Sequence, residues 1–175
     1  MSKKLFLLVA LFGAFTLFTT SCGETDPCKD VDCGPNGTCF EGTCECIDGF
    51  EGDACDVEWA TKFLGSFLGS DNVTASTAGT TLGVYTLAQP AVVTRLSETK
   101  VRISNFGGFE SFLDATIERE TPTSLTAETL DLTFTDPTGR KFTGTAKLTG
   151  NALTGTYRVT FSDNTYDDAT FNYTK

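Results

Sequence analysis

The cysteines are the feature that most constrains what this chain of 175 residues can fold into. All seven lie before residue 56, and six of them fall within a single segment, whereas Cys22 stands alone. So short a segment buries too little apolar surface to fold on that basis, and disulfides supply the missing stability. Six cysteines allow many pairings, and their spacing alone does not choose among them. The six are Cys28, Cys33, Cys39, Cys44, Cys46 and Cys55.

The N-terminal segment predicts export. Lys3 and Lys4 precede an apolar run over 5–18, and small residues then lead to Cys22. This run is too short for a membrane-spanning helix, which needs roughly 20 residues. A charged start, a short apolar core and small residues at the end are typical of a secretory signal. One interpretation is an ordinary signal peptide cleaved near Ser21, which would leave Cys22 as a free or intermolecular thiol.

The small residues before Cys22 resemble the lipobox of bacterial lipoproteins. The resemblance implies a signal peptide over 1–21, and diacylglycerol and acyl (palmitate-type) chains on Cys22, followed by a tether over 22–27. Two or more chains hold a protein stably on a membrane, whereas a single chain is marginal. An unpaired exposed thiol is also a liability in an oxidising compartment. We therefore expect lipidation at Cys22 and a membrane partner through that anchor.

The tether bears on where the anchored protein resides. Its acidic residues resemble the post-cysteine signals that send some lipoproteins of the Bacteroidota to the outer face of the outer membrane. A solvated linker explains the same residues equally well. The expectation is an exported, lipid-anchored protein of the outer membrane, exposed at the cell surface.

The six clustered cysteines include a specific pattern. Residues 44–55 read C-x-C-x-x-G-[FY]-x-G-x-x-C. Residues 28–55 therefore resemble an EGF-like domain, and we assign this module to 28–56. The resemblance implies the disulfide pairs Cys28–Cys39, Cys33–Cys44 and Cys46–Cys55 around a two-stranded hairpin.

Metal binding is not expected. The calcium-binding kind of EGF-like domain carries a carboxylate or amide before its first cysteine, whereas Pro27 occupies that position here. Zinc is disfavoured because the sequence has no histidine and because exported cysteines oxidise rather than hold metal. We predict no metal and no cofactor. Four acidic residues could gather a hard cation through oxygen ligands, although solvated carboxylates are the simpler interpretation: Glu24, Asp26, Asp30 and Asp32.

From Trp59 onward, cysteine disappears and apolar residues alternate with polar ones, many of them threonine. A period of two is the signal of a half-buried strand. Residues 90–98 are ambiguous between a strand extension and a turn of helix. Eight strands are predicted, at 63–67, 81–88, 100–106, 113–117, 130–134, 142–148, 153–161 and 169–173.

Sequential short strands joined by tight turns predict a mainly β protein, with an antiparallel meander over 57–175. We favour an eight-stranded up-and-down barrel because closure removes exposed edges; the alternative is a two-sheet β-sandwich. Residues 62–67 resemble the opening strand of lipocalin-like and avidin-like barrels, a likeness that brings no ligand residues with it. The whole arrangement resembles uncharacterised surface lipoproteins of the Bacteroidota.

Composition argues against two classes of function. Without Lys3 and Lys4, 11 of the 13 basic residues remain against 23 acidic ones, a net charge of −12, so nucleic acid is not an expected partner. With no histidine and every cysteine assigned, the usual catalytic bases and nucleophiles are missing. The acidic pairs Asp167–Asp168 and Glu118–Glu120 could do acid–base work, but solvated charge is the better interpretation. We therefore predict no enzyme.

Two functional hypotheses remain. The first is a surface-anchored binding or adhesion protein, in which the EGF-like module is a spacer and the β domain recognises an unknown protein or glycan partner. The second is a lipocalin-like carrier of a small apolar ligand. Trp59 is expected to pack at the barrel end or to seat the module. The interior discriminates between the hypotheses, because Gly144, Ala146 and Gly155 leave room whereas Phe142, Tyr157, Phe161 and Phe171 fill it.

Overall fold

A computed structural model describes residues 26–121 and 124–175. The predictions for the signal peptide, for lipidation of Cys22 and for most of the tether, Glu24 included, lie outside the described residues. In the described part, strands dominate and helix is confined to short segments.

The EGF-like module contains two small hairpins. Strand β1 (Gly37–Phe40) pairs with β2 (Thr43–Cys46), and β3 (Phe50–Glu51) pairs with β4 (Val57–Glu58). The second hairpin therefore continues two residues past the predicted boundary at 56. Three disulfides staple the module, with Cα–Cα distances of 5.8, 5.4 and 5.3 Å. They join the pairs that the EGF resemblance implies, namely Cys28–Cys39, Cys33–Cys44 and Cys46–Cys55.

A short helix, α1 (Trp59–Phe63), joins the module to the barrel. The predicted strand at 63–67 is wrong in its bounds, because Phe63 ends this helix and strand β5 runs over Gly65–Ser76. Helical spacing turns Trp59, Ala60 and Phe63 towards the barrel, where all three are buried. No helix within residues 26–121 and 124–175 is long and apolar enough to cross a bilayer.

The remaining strands follow the predicted meander. The ambiguous segment at 90–98 is a strand, and a 3-10 turn, Phe106–Gly108, follows β8. The strands are β6 (Gly83–Thr86), β7 (Ala91–Ser97), β8 (Lys100–Ser104), β9 (Phe112–Glu118), β10 (Thr129–Asp131), β11 (Phe134–Thr135), β12 (Lys141–Thr149), β13 (Ala152–Thr160) and β14 (Tyr166–Thr174).

These strands close into an eight-stranded antiparallel barrel, which confirms the predicted fold class over the sandwich alternative. Strands β6 and β7 both pair with β5, and together they count as one interrupted strand of the barrel wall. Strands β10 and β11 both pair with β12 and likewise count as one interrupted strand. The first and last wall strands meet in the pairing of β14 with β5. Each wall strand otherwise neighbours the next in sequence, so the topology is up-and-down.

The barrel interior follows from the alternation of its strands. Threonines of β12 to β14, such as Thr145, Thr156 and Thr170, are exposed on the outer face, and the intervening residues point inwards. The half nearest the module is filled with aliphatic and aromatic side chains, including Phe63, Phe67, Leu130, Leu148 and Leu153.

An aromatic layer follows in the middle of the barrel, with neighbouring ring centroids 4.8–6.3 Å apart. The expectation that Gly144 and Gly155 leave room for a ligand is wrong. A Cβ on Gly144 would lie 2.7 Å from Tyr157 Cα, and one on Gly155 would lie 2.9 Å from a Phe171 ring carbon. These glycines allow close packing of neighbouring strands. The layer comprises Phe106, Phe142, Tyr157, Phe171 and Tyr173.

Polar contacts seat the module on the closed end of the barrel. The Trp59 indole N–H donates to the Phe50 carbonyl at 2.9 Å, which places Trp59 both in the barrel core and against the module. The Glu51 carboxylate, almost fully buried, accepts from Lys62 Nζ at 2.8 Å and from the Ala127 N–H at 3.2 Å. Among the described residues, the apolar core cluster begins at Trp59, so the module and the barrel are joined by polar contacts rather than by a common core.

Candidate functional site

The barrel has an open end opposite the module. Strand β8 leads from the module end of the barrel towards the opposite end. It begins at Lys100, next to the turn that lies against Gly49 of the module, and it ends at Ser104, near the opposite end. At that end the wall is split, because β6 pairs only with β5 among the described strands. We call this open end the mouth.

A glycine-dependent loop folds into the mouth. Asn105 adopts a left-handed conformation, and its side-chain amide donates to the Gln89 carbonyl at 2.7 Å, tying the loop to the segment between β6 and β7. The Gly107 N–H donates to the Tyr173 hydroxyl at 3.1 Å. A Cβ on Gly107 would lie 2.8 Å from Tyr157 Oη, and its φ of +63° favours glycine. The loop therefore covers the aromatic layer closely.

A cavity of about 420 Å³ lies at the mouth. Its size falls within the range of small-molecule sites, about 300–1,000 Å³. Most of its wall is apolar, and a few polar side chains converge on it, as is typical of such sites. The apolar wall includes Val73, Leu87, Phe109, Val159, Phe161 and Ala169, and the polar side chains include Asp71, Thr80, Tyr157 and Asp167.

Asp71 is the deepest charged group of the cavity. It is 3% exposed, and the Tyr173 hydroxyl donates to both of its oxygens at 2.9 Å. Burial raises the pKa of Asp71, and hydrogen bonds from Tyr173 and Tyr157 lower it. The effect of burial is the larger, so the pKa of Asp71 lies above its usual value. The two tyrosines thus favour the ionised carboxylate in a place that disfavours charge.

The tyrosines remain proton donors. Burial first, and then the negative charge of Asp71, raise the pKa values of Tyr157 and Tyr173 well above that of an ordinary phenol. Their hydroxyls are therefore protonated at any physiological pH and act as fixed hydrogen-bond donors to the Asp71 carboxylate.

Asp167 is the second acid of the cavity, and its placement corrects the sequence interpretation. The pair Asp167–Asp168 was expected to be solvated, but neighbouring residues of a strand face opposite sides. Asp168 points outwards and pairs with Arg158 at 2.6 Å, whereas Asp167 points inwards and is 7% exposed. Thr80 Oγ1 donates to Asp167 Oδ2 at 2.7 Å. Asp167 Oδ1 is buried and accepts no hydrogen bond within the described residues.

No cation of the described residues balances these two acids. The lining residues include neither lysine nor arginine, and among the described residues neither Asp71 nor Asp167 forms an ion pair. A nearby guanidinium, that of Arg140, lies 4.6 Å from the Phe109 ring centroid and is held by Asp136 at 2.7 Å. The cavity therefore carries an uncompensated negative field in a low-dielectric setting.

The other acids considered from sequence lie elsewhere. Asp26 and Asp32 each accept a hydrogen bond from a nearby backbone N–H of the module. Glu120 pairs with Lys147 at 2.8 Å on the surface. In the described part of the chain, no three metal-ligating side chains gather at one point.

Asp71 was missed at the sequence level. The predicted strand ended at residue 67, whereas β5 continues to residue 76. The sequence does contain a signal for it in the alternation of the strand. Phe67, Asp71 and Val73 are separated by even numbers of residues and therefore lie on the same face. An acid on the apolar face of a strand is the pattern that could have identified it.

A second concave surface lies between the module and the barrel. This groove of about 1100 Å³ includes Phe40, Leu125, Glu45 and Arg119 in its lining. Phe40 is 58% exposed and Leu125 is 80% exposed. Large apolar side chains with such exposure are typical of interaction surfaces.

These observations define a class: an extracellular or exported protein in which a disulfide-rich EGF-like module precedes a closed antiparallel barrel with an open mouth. Residues 28–58 match the family model of the Teneurin-like EGF domain. That match covers the module and leaves the barrel outside it. No curated protein matches the chain. The combination of module and barrel is compatible with a role in extracellular binding or adhesion.

Proposed function

We propose that this protein is a lipid-anchored, non-enzymatic binding protein of the outer membrane, and that the mouth of its barrel receives a small ligand. The observation that carries the proposal is the mouth cavity, in which an apolar wall surrounds buried, convergent polar groups. Small-molecule sites have this composition, and the open ends of β-barrels are common places for them. The packed interior argues against the lipocalin-like carrier with an enclosed cavity, and the ligand site proposed in its place lies at the mouth.

The order of the parts supports display away from a membrane. The proposed anchor, Cys22, precedes Cys28 by six residues, and so short a tether spans at most about 20 Å. The module contacts one end of the barrel, and the cavity lies at the other. An anchor next to the module therefore leaves the mouth facing outwards.

A blocked cavity tests the binding role. Ala88 lines the mouth and is exposed, so Ala88→Trp fills the cavity without entering the core. Ala78→Trp is the matched control, since Ala78 is exposed and lies outside the lining. In a thermal-shift screen of small molecules, ligands that stabilise the natural protein and the Ala78 variant should leave the Ala88 variant unchanged. Equal stabilisation of both variants would place the binding elsewhere.

The anchor has a separate test. Replacing Cys22 with serine removes the thiol that would carry the lipid, so the variant should move from the membrane fraction to the soluble fraction. Mass spectrometry of the natural protein should report acyl chains together with three disulfides. Retention of the serine variant in membranes would contradict the lipid anchor.

Protein adhesion through the groove is the second candidate, favoured by the exposure of Phe40 and Leu125. The groove also contains Glu41, Glu45 and Asp53, so a basic, partly apolar protein segment is the complementary partner. Phe40→Ser should weaken attachment of cells that display the protein. Leu82→Ser is the control, because Leu82 is also 58% exposed and lies outside the groove. An equal effect of both substitutions would argue against the groove.

A further inference from the structure

We infer that the mouth cavity is selective for a small organic cation, a protonated amine carried on an apolar body, whose ammonium group binds Asp167 and is attracted by the negative charge of Asp71. This inference rests on the proposed function and adds the chemical class of the ligand. It concerns the cavity alone and is independent of the lipid anchor.

The charge of the cavity is the first argument. Two acids that are more than nine-tenths buried line it without a basic neighbour in the lining. Burial of a charge is costly unless the charge is paired. A ligand that brings a positive charge removes this cost, whereas a neutral ligand leaves it and an anionic ligand adds to it.

The unsatisfied oxygen is the second argument. Thr80 occupies Asp167 Oδ2, and the buried Oδ1 has no donor among the described residues. A ligand in the cavity meets this oxygen once the Asp167 side chain turns towards it. A buried acceptor without a partner costs about 1–3 kcal/mol. An ammonium group has several N–H donors and no acceptor, so it satisfies such an oxygen without creating a new unpaired group.

Preorganisation of Asp71 is the third argument. The Tyr173 hydroxyl donates to both Asp71 oxygens and accepts from the Gly107 N–H. The carboxylate is therefore held in one orientation by groups that are themselves fixed by packing in the aromatic layer. A fixed charge loses little entropy when it binds an opposite charge.

The wall of the cavity determines the rest of the ligand. Leu87, Phe109, Val159 and Phe161 form a largely apolar surface around the two acids. A cavity of about 420 Å³ suits a compact body such as one aromatic ring with a short aminoalkyl chain. Large lipids do not fit, because the aromatic layer closes the interior behind the cavity.

Matched probes test this class. Benzylammonium, benzyl alcohol and benzoate share one ring and differ in charge, so their dissociation constants from the full protein at neutral pH isolate the charge. We expect benzylammonium to bind at least about tenfold more tightly than benzyl alcohol, since one charged hydrogen bond is worth that factor. Benzoate should not bind.

Two isosteric variants locate the effect. Asp167→Asn keeps the shape and an oxygen for Thr80 but removes the charge, so it should weaken benzylammonium binding about tenfold and leave benzyl alcohol unchanged. Asp168→Asn is the matched control on the outer face of the same strand and should change neither constant. Asp71→Asn, with thermal unfolding measured to confirm folding, should also weaken benzylammonium binding, but less than Asp167→Asn does, because Asp71 acts on the ammonium group at longer range.

The outcomes separate this inference from the proposed function. Equal binding of benzylammonium and benzyl alcohol, abolished by Ala88→Trp, would overturn the cationic class while retaining the cavity as a ligand site. Benzylammonium binding that persists in Asp167→Asn and Asp71→Asn would overturn the assigned acids. Absence of binding for all three probes at millimolar concentrations would overturn the cationic class, and the screen with Ala88→Trp would then decide whether the cavity is a ligand site at all.

Discussion

The two ends of the barrel share the same strands but are built for different purposes. At the end that seats the module, Phe63, Phe67 and Leu130 are fully buried in a continuous apolar core. At the mouth, the same strands carry Asp71 and Asp167 on their inward face, and the wall is split beside β6. The module end stabilises the fold, whereas the mouth is less tightly packed, carries unbalanced charge and has an accessible cavity.

This difference teaches where to look for function in such a barrel. A buried acid without a counter-ion destabilises a protein, so its place in a fold is explained by a ligand more readily than by stability. Within the described residues, the packed end buries one acid, Glu51, and Lys62 neutralises it. Substitutions at the two ends should therefore separate stability from binding.

The largest effect is expected at the packed end. Phe67→Ala removes a fully buried ring from the core, and such a change typically costs about 3–5 kcal/mol in the free energy of unfolding. Phe161→Ala is the comparison at the mouth, where the ring is only partly buried. It should cost clearly less in chemical denaturation. A similar loss at both positions would erase the distinction between the ends.

An intermediate, pH-dependent effect is expected at the turn between β11 and β12. Burial alone would raise the pKa of Asp136, but hydrogen bonds from Thr138 and Arg140 outweigh it and lower the pKa from 3.8 to about 2. A lowered pKa means that this acid stabilises the fold above pH 3.8, and that the stabilisation is lost as the pH falls through about 2.

Asp136→Asn should therefore destabilise the protein by about 2 kcal/mol at neutral pH, with the difference from the natural protein vanishing below pH 2. Urea denaturation across this pH range measures it. Asp163→Asn is the control, because Asp163 makes the same contacts with Thr165 at an exposed turn. A difference that is independent of pH would contradict the assigned ionisation.

An effect on stability of similar size, accompanied by weaker binding, is expected at the mouth loop. Gly107→Ala places a Cβ 2.8 Å from Tyr157 Oη and forces a side chain into a left-handed conformation. We expect a loss of about 1–3 kcal/mol, together with weaker benzylammonium binding. Gly139→Ala separates the two causes, since Gly139 also has a positive φ but nothing lies near its missing Cβ. If both variants lose stability equally and both bind normally, the loop does not shape the cavity.

Much of the fold could be predicted because its signals are local. The spacing from Cys28 to Cys55 carries the EGF resemblance, and alternation over 142–148 and 153–161 defines a hairpin by itself. Barrel closure followed from the number and order of the strands. Each of these inferences needs only residues that are close together in the chain.

The predictions from sequence were wrong where contacts between residues far apart in the chain determine the structure. Helix α1 is five residues long, and its burial against the barrel, rather than its intrinsic propensity, stabilises it. Gly144 and Gly155 were read as open space because the sequence predicts the strand pairing but not how closely Tyr157 and Phe171 pack against them in the closed barrel. The site itself joins Asp71 to Tyr173, which are 102 residues apart.

The most direct test of this account is a map of where the cation binds. Backbone amide chemical shifts of the isotope-labelled protein, followed by NMR during titration with benzylammonium, report every residue whose surroundings change. The account predicts shifts at Asp71, Gly107, Gly108, Tyr157 and Asp167, and none in residues 28–58. Shifts centred on the groove between the module and the barrel, with the mouth unaffected, would contradict it.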